Sequence, residues 1–419
     1  MTVAEQAKPG VRFPGEMGPW GDWSLGDLYV ERNEQGNEEL PMLSVSIYDG
    51  ISDGELDEAA LGKRVRRSAD KTLYKRVYEG DVVLNMMRAW QGAIGVSRTE
   101  GMVSPAYITA QPNLELSSRF MDHALRRGQV VKQMNDLSYG VTDFRKRLYW
   151  DSFERVRLSL PLVHEQQKIG ALFESLDESI ELHRRQLEKL RQFKQTMLGK
   201  MFPKQSEDIP EIRFPGFAEA WNYREFGDTF GAIKNRSHSR AELNDVLGEV
   251  STIHYGDILV KYQALVDYSR DSLPFITGAS KGEFRGMLLE EGDVLIADAA
   301  EDSSVGAAVE IVELNEKAVI AGLHTIACRP LRKFERGYLG YFLNSAVFHN
   351  QLLPLMQGTK VLSLSRRAMA TTQVWYPSLA EQQKIGEFFA NLDELIAFQA
   401  HKGLKLAQVK HALLDGMFV

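Results

Sequence analysis

PLVHEQQKIGALFESLDESIELHRRQLEKLRQFKQTMLGKMFP, residues 161–203, returns at 377–419 as PSLAEQQKIGEFFANLDELIAFQAHKGLKLAQVKHALLDGMFV. The pairing needs no gap, and roughly 19 of about 43 positions are identical. The shared core is Glu-Gln-Gln-Lys-Ile-Gly at 165–170 and 381–386, followed by Leu-Asp-Glu at 176–178 and 392–394. A repeat fixes architecture before any single residue does, and two copies this far apart are no solenoid. They mark a duplicated module of globular domain plus long helix.

The duplication continues upstream. Arg12-Phe13-Pro14-Gly15, Trp20 and Gly26-Asp27 match Arg213-Phe214-Pro215-Gly216, Trp221 and Gly227-Asp228. Within the modules, Glu79-Gly80-Asp81-Val82-Val83 echoes Glu291-Gly292-Asp293-Val294-Leu295. The intervening sequence has diverged. Two similar scaffolds with two different heads imply two different things recognised.

In the first repeat, apolar residues fall at Ile169, Phe173, Leu176, Ile180, Leu187, Leu190, Met197 and Met201. The second holds Ile385, Phe389, Leu392, Ile396, Leu406, Leu413 and Met417. Alternating four-three spacing over about five heptads is a coiled-coil pattern. Each helix is expected to start just after Pro161 or Pro377, with Glu165 or Glu381 in the first turn, where the helix dipole favours an anion. At 1.5 Å per residue, each spans on the order of 55 Å. His183/Gln399 and Lys194/Lys410 interrupt the seam at equivalent places, as polar residues that fix register do. The best expectation is that the two helices pair antiparallel, with a head at either end and approximate two-fold symmetry. Glu165, Gln166 and Lys168, like Glu381, Gln382 and Lys384, cannot all enter one apolar seam. Their repetition suggests two equivalent docking sites for a partner protein.

The chain has 419 residues, 44% of them hydrophobic, enough for two or three domains with real cores. Its single cysteine, Cys328, excludes an intramolecular disulfide and a cysteine-rich zinc site. No signal-peptide pattern opens the sequence and no apolar run approaches a membrane span, so a cytoplasmic location is expected. The net charge of −7 is not that of a basic nucleic-acid binder. A local field can nevertheless differ from the total, and residues 63–76 carry seven basic side chains against one acid. Catalytic patterns are missing: no glycine-rich phosphate loop, no second histidine four residues after His164, and no Gly-x-Ser-x-Gly elbow.

The heads, about 20–155 and 222–370, read as mixed α/β. Strands are expected at 41–47, 82–84 and 294–296, with Gly-Asp turns at Gly80-Asp81, Gly256-Asp257 and Gly292-Asp293. Asp257 to Lys261 reads as a strand, and helices fit 117–136 and 334–356.

Two variable domains alternating with two repeated helices closely resemble the specificity subunit of type I restriction-modification enzymes, over essentially the whole chain. Local matches are Trp90 to Gly95, Val103-Ser104-Pro105-Ala106-Tyr107 and Gly322-Leu323-His324-Thr325. The resemblance implies target recognition domains at 1–158 and 206–374 and spacer helices at 159–205 and 375–419. Each head would read one half of an asymmetric, split sequence in double-stranded DNA. The helices would dock two modification (methyltransferase) subunits, and restriction (translocase/nuclease) subunits would join them. S-adenosylmethionine, ATP and Mg would belong to those partners, with no catalysis, metal or cofactor in this chain. Two alternatives are a coiled-coil adaptor without a nucleic-acid role and a stand-alone modification methyltransferase. The latter would need an Asn/Asp-Pro-Pro-aromatic loop, and the chain has no Pro-Pro.

For DNA contact in the first head, the candidates are Lys63, Arg64, Arg66, Arg67, Lys71, Lys75 and Arg76. Arg88 and Gln91 follow, then Thr142, Arg145 and Lys146 in the loop after Tyr139-Gly140. In the second head they are His254, Tyr255 and Lys261, then Thr359, Lys360, Ser363, Arg366 and Arg367 after Gly358. Arginine and lysine address guanine or phosphate, and glutamine suits adenine. A helix pair of this length can hold two heads about one DNA turn apart, roughly 34–36 Å.

Overall fold

The computed structural model describes residues 8–37, 39–47, 50–52, 73–140, 146–204 and 207–419. The chain forms two compact units, Met1–Arg184 with His401–Val419, and Arg185–Ala400. The two repeats are helices Val163–Lys200 and Leu379–Met417, of 38 and 39 residues. Each begins two residues after its proline, and each contributes to both units.

In the first unit an antiparallel sheet runs in the order Tyr29–Glu31, Tyr107–Pro112, Val82–Asn85, Ile94–Val96. Val82–Asn85 is buried on both faces, which its unbroken apolar run Val82-Val83-Leu84 dictates. Helices Ser118–Leu125 and Gly128–Leu137 supply Phe120, Met121, Leu125, Val130 and Met134 to the core under that sheet. A ribbon of Gly21–Ser24 against Arg157–Leu160 closes the unit. Ile169 and Phe173 of the first long helix enter the same core, as do Met417 and Phe418. Phe418 stacks on Phe120 (centroids 5.0 Å apart) and meets Trp20 at 6.2 Å and Phe173 at 5.8 Å.

The second unit repeats this frame with different residues. Asn222–Glu225 pairs with Gln373–Tyr376. Phe202 takes the place of Phe418, meeting Trp221 and Tyr338 at 6.1 Å each and stacking on Phe389 at 6.1 Å. Its main sheet runs Phe230–Ile233, Thr325–Pro330, Val294–Ala297, Ala308–Glu313, Leu265–Asp267, the last strand parallel to its neighbour. A further four-stranded sheet of Leu243–Asn244, Phe275–Ile276, Val250–Ile253 and Ala318–Ala321 sits on its own small apolar cluster.

The repeated hexapeptide anchors each long helix to its head. Glu165 is buried and takes a bidentate pair from Arg12 (Nε–Oε1 2.9 Å, Nη2–Oε2 2.6 Å). Glu381 does the same with Arg213 at 2.7 and 2.8 Å. Gln166 Oε1 accepts from the Ser117 amide (3.1 Å) while its Nε2 donates to the Pro161 carbonyl (2.9 Å). Gln382 accepts from the Glu335 amide (3.1 Å) and donates to the Pro377 carbonyl (2.9 Å). Both amides are buried with donor and acceptor satisfied, the condition for a polar group inside a core. The closing glycine permits close approach. A Cβ on Gly170 would lie 2.8 Å from the Phe120 nitrogen, and one on Gly386 would lie 2.5 Å from the Arg336 oxygen. Glu165, Gln166, Glu381 and Gln382 therefore do not form a docking surface, because their side chains are consumed inside their own units. Lys168 and Lys384 remain exposed, Lys168 on Glu16 Oε1 (2.8 Å) and Lys384 5.1 Å above the Phe217 ring.

The helices pair antiparallel within each unit. In the first, Lys410 reaches Asp177, Phe173 meets Phe418, and Gly403 lies opposite His183. In the second, Lys194 Nζ binds Asp393 Oδ1 at 2.5 Å, which also accepts through Oδ2 from Tyr341 (2.9 Å). The seam residues Ile169, Phe173, Ile385, Phe389, Leu392 and Ile396 are buried, and Leu176, Ile180, Leu187, Leu190, Met197, Leu406 and Leu413 are half-buried. Each seam lysine thus takes the aspartate of the other helix's Leu-Asp-Glu, a pairing possible in one register only.

Local corrections follow from tertiary context. Asp257 to Lys261 is not a strand, since Tyr255–Val260 is a short helix and Gly256-Asp257 lies in its first turn. The strand expected at 41–47 shrinks to Val45–Ser46. The helical stretches are each split in two, at Arg126-Arg127 and at Asn344-Ser345.

Candidate nucleic-acid interface

The loops expected to reach DNA have equivalent roots. In the first head, Tyr139 and Arg147 exchange backbone hydrogen bonds (3.1 and 3.0 Å), and in the second, Gln357 and Ser363 do so (3.0 and 2.8 Å). Gly358 needs its φ of +115°, since a Cβ there would lie 2.0 Å from the Val361 oxygen. Thr359, Lys360 and Val361 are exposed at the tip. Ser363 is spent at the root, its Oγ donating to the Gln357 carbonyl (3.3 Å). Thr142 and Arg145 lie outside the described residues, as do Lys63, Arg64, Arg66, Arg67 and Lys71. Lys146 is half-buried and already engaged.

Two arginines leave the candidate set. Arg76 spans Glu100 (Nε–Oε1 2.8 Å) and Glu34 (3.4 Å) and lies 4.6 Å over the Tyr78 ring, so its charge is neutralised within the head. Arg366 donates to the Phe230 carbonyl (2.6 Å) and sits 3.5 Å from Cys328 Sγ, tying its helix to the sheet. Lys75 is half-buried on its strand, and burial lowers its pKa. Arg367 is exposed with no partner among the described residues. Arg88 and Gln91 are exposed around the 3-10 turn Ala89–Gln91, beside the outward Met87.

His254, Tyr255 and Lys261 do come together, on a cleft of about 430 Å³ that His238, Arg240, Asn244 and Leu323 also line. Lys261 folds back onto its own head through the Ser272 carbonyl. Burial lowers the His254 pKa, opposed by Asp257 and reinforced by His238 and Arg240. The neutral form is therefore favoured beside an edge that already carries cations. His238 and Arg240 stand in no motif, and only the folding of 236–245 against the helix brings them here. The neighbouring turn Asp245 to Gly248 holds out Val246 and Leu247, while Asn244 Oδ1 accepts from both their amides at 3.0 Å.

Residues 219–408 match the family described as the type I restriction modification DNA specificity domain. The chain is 18% identical over 348 residues to the type I restriction enzyme MjaVIII specificity subunit of Methanocaldococcus jannaschii, covering 81% of this chain and 78% of the relative. The fold matches the crystal structure of the type I restriction-modification system S subunit from M. genitalium, at a TM-score of 0.58, 13% identity and 99% of each chain. It also matches a chain from a structure of a type I restriction-modification system, reported for its complex assembly and conformational transition. There the TM-score is 0.52, the identity 17%, and the coverage 97% of this chain and 98% of that one. Together these findings support a type I restriction-modification specificity subunit. Such a subunit recognises DNA sequence and is non-catalytic in general, so the equivalent loops and the cleft are where its chemistry of recognition is to be sought. Among the described residues no three candidate ligands gather as a metal site, and no helix is long and apolar enough to cross a membrane.

Proposed function

We propose that each head reads one half of an asymmetric, two-part DNA target, and that the chain carries the modification machinery to it without catalysing methyl transfer. One observation supports this above others. The scaffold contacts recur residue for residue in both units, from Arg12–Glu165 and Arg213–Glu381 to the two lysine–aspartate seams. Their equivalent loops carry different side chains. Duplicated support with divergent tips is what two half-sites of different sequence require. S-adenosylmethionine, ATP and Mg belong to the partner subunits on this reading. Mapping methylated adenines in host DNA tests it. A bipartite motif with unlike halves is expected, and a palindromic motif or none overturns it.

The same duplication supports two copies of one modification subunit per chain. Docking falls to Lys168, Lys384 and the exposed apolar residues of the long helices, Leu182, Leu404 and Val409 in one unit and Phe193, Leu395 and Phe398 in the other. Mass measurement of the reconstituted methyltransferase should give two modification subunits to one of this chain. A one-to-one complex at saturating partner rejects the two-site arrangement.

A further inference from the structure

Three non-glycine residues among those described have a clearly positive φ. Asn315 and Glu316 form an ordinary turn, and the third is His324, at φ +53°. Histidine in the left-handed region is strained and persists only where its surroundings over-determine it. They do so here. The Gly322 amide donates to the Ile253 carbonyl (2.8 Å), the Tyr255 amide to the Leu323 carbonyl (3.2 Å), and Thr325 Oγ1 to the Gly322 carbonyl (2.7 Å). The imidazole projects from this turn half-exposed. Its Nδ1 lies 3.0 Å from Asp298 Oδ1 and its ring meets Tyr255 edge-on at 5.3 Å.

The first head has two equivalent backbone hydrogen bonds without the same side chains. The Asp298 amide donates to the His324 carbonyl (3.1 Å), and the Leu364 amide to the Asp298 carbonyl (2.8 Å). In the first head the Met86 amide donates to the Ala106 carbonyl (3.3 Å), and the Leu148 amide to the Met86 carbonyl (3.0 Å). An apolar Met86/Ala106 pair thus stands where the second head has Asp298/His324. Ala106 is not among the described residues of positive φ, so the left-handed turn, like the histidine–aspartate pair, belongs to the second head. The pair sits at the root of the 357–363 loop, where Leu364 is tied to Asp298.

An aspartate carboxylate only accepts, so in the neutral ring Nδ1 carries the proton and Nε2 a lone pair. No partner for Nε2 occurs among the described residues. We propose that His324, oriented by Asp298, is a specificity-determining residue of the second head. It accepts a hydrogen bond from the exocyclic amino group of adenine or cytosine in the major groove, where those groups are the base-edge donors. This rests on the reading that the second head contacts DNA. Asp298 is the positioning residue, fixing which ring nitrogen faces the base.

The test is a methylation-motif map of host DNA modified by the complete methyltransferase with the native chain, His324→Gly or Asp298→Asn. Glycine removes the imidazole and the φ penalty together, so His324→Gly should fold with an unchanged or higher melting temperature. Its motif is expected to become degenerate at one position of one half-site, discrimination there falling roughly tenfold or more, with the other half-site intact. Asp298→Asn should alter that same position, because the ring is no longer held in one tautomer. An unchanged motif in both variants, or a uniform loss of methylation at every site as a phosphate contact would give, overturns the assignment. Failure of the native chain to direct any sequence-specific methylation would instead remove the DNA-reading function itself.

Discussion

Glu165 and Glu381 are carboxylates taken out of water at the first turn of their helices, and each depends on one arginine 153 or 168 residues away in sequence. Removing one partner of a buried ion pair leaves a charge without compensation. Glu381→Ala is expected to lower the unfolding free energy of the second unit by about 3 kcal/mol, measured by urea denaturation. Glu310 makes a different prediction. Its oxygens accept from the Gly337 and Gly340 amides at 2.8 Å each, yet full burial raises its pKa to about 7. The unfolded carboxyl ionises near its ordinary value while the folded one still holds its proton. Stability of this unit should therefore fall as pH rises from about 4.5 to about 7 and then level off, a loss of about 3 kcal/mol. A urea series over that range checks it, and Glu310→Gln should flatten the slope. None of this was legible in the sequence. A glutamate in a polar hexapeptide looks solvated or partner-directed until the arginine that buries it is placed.

The long helices were the most legible elements, because a heptad seam reports its own partner through spacing alone. Their boundaries, direction and polar interruptions follow from residues 161–203 and 377–419. What spacing could not show is that the seam lysines answer the aspartates of Leu-Asp-Glu. Reversing one pair by Lys410→Asp should destabilise the first unit by about 1 kcal/mol. Adding Asp177→Lys should recover most of that loss in a double-mutant cycle. Glycines in these helices separate anchoring from tolerance. Gly386→Ala drives a Cβ against the Arg336 carbonyl and should cost about 1–3 kcal/mol. A Cβ on Gly403 would meet, among the described residues, His183 Cβ alone, at 3.9 Å, so Gly403→Ala should gain up to about 1 kcal/mol from helix propensity. Opposite shifts in melting temperature check the pair. Short elements were misread for the converse reason. Tyr255–Val260 has the composition of a strand and is helical, with Asp257 in its first turn accepting from the His254 amide (3.2 Å).

For the whole molecule, the duplication made the two-module plan and the family readable, while the interface was only partly so. Lys360 and Arg367 are exposed as expected, whereas Arg76 and Arg366 serve their own heads. Charge counting cannot tell a cation offered to a phosphate from one spent on a neighbouring carbonyl. Lys360→Ala with Arg367→Ala should weaken specific binding by about 1–3 kcal/mol per base contact. A fall confined to the salt slope would reassign them to phosphates. The first unit also has a history that the second lacks. Its aromatic core of Trp20, Phe120 and Phe173 is closed by Phe418, whereas Arg185–Ala400 is one continuous stretch. A ribosome delivers residues in order, so the domain translated first is the last to be finished. It must wait, with an apolar slot open, while more than half of the chain is still being made. In a cell short of chaperones, losses should therefore begin with aggregation of nascent first domains, and supplying residues 401–419 as a separate peptide should reduce them.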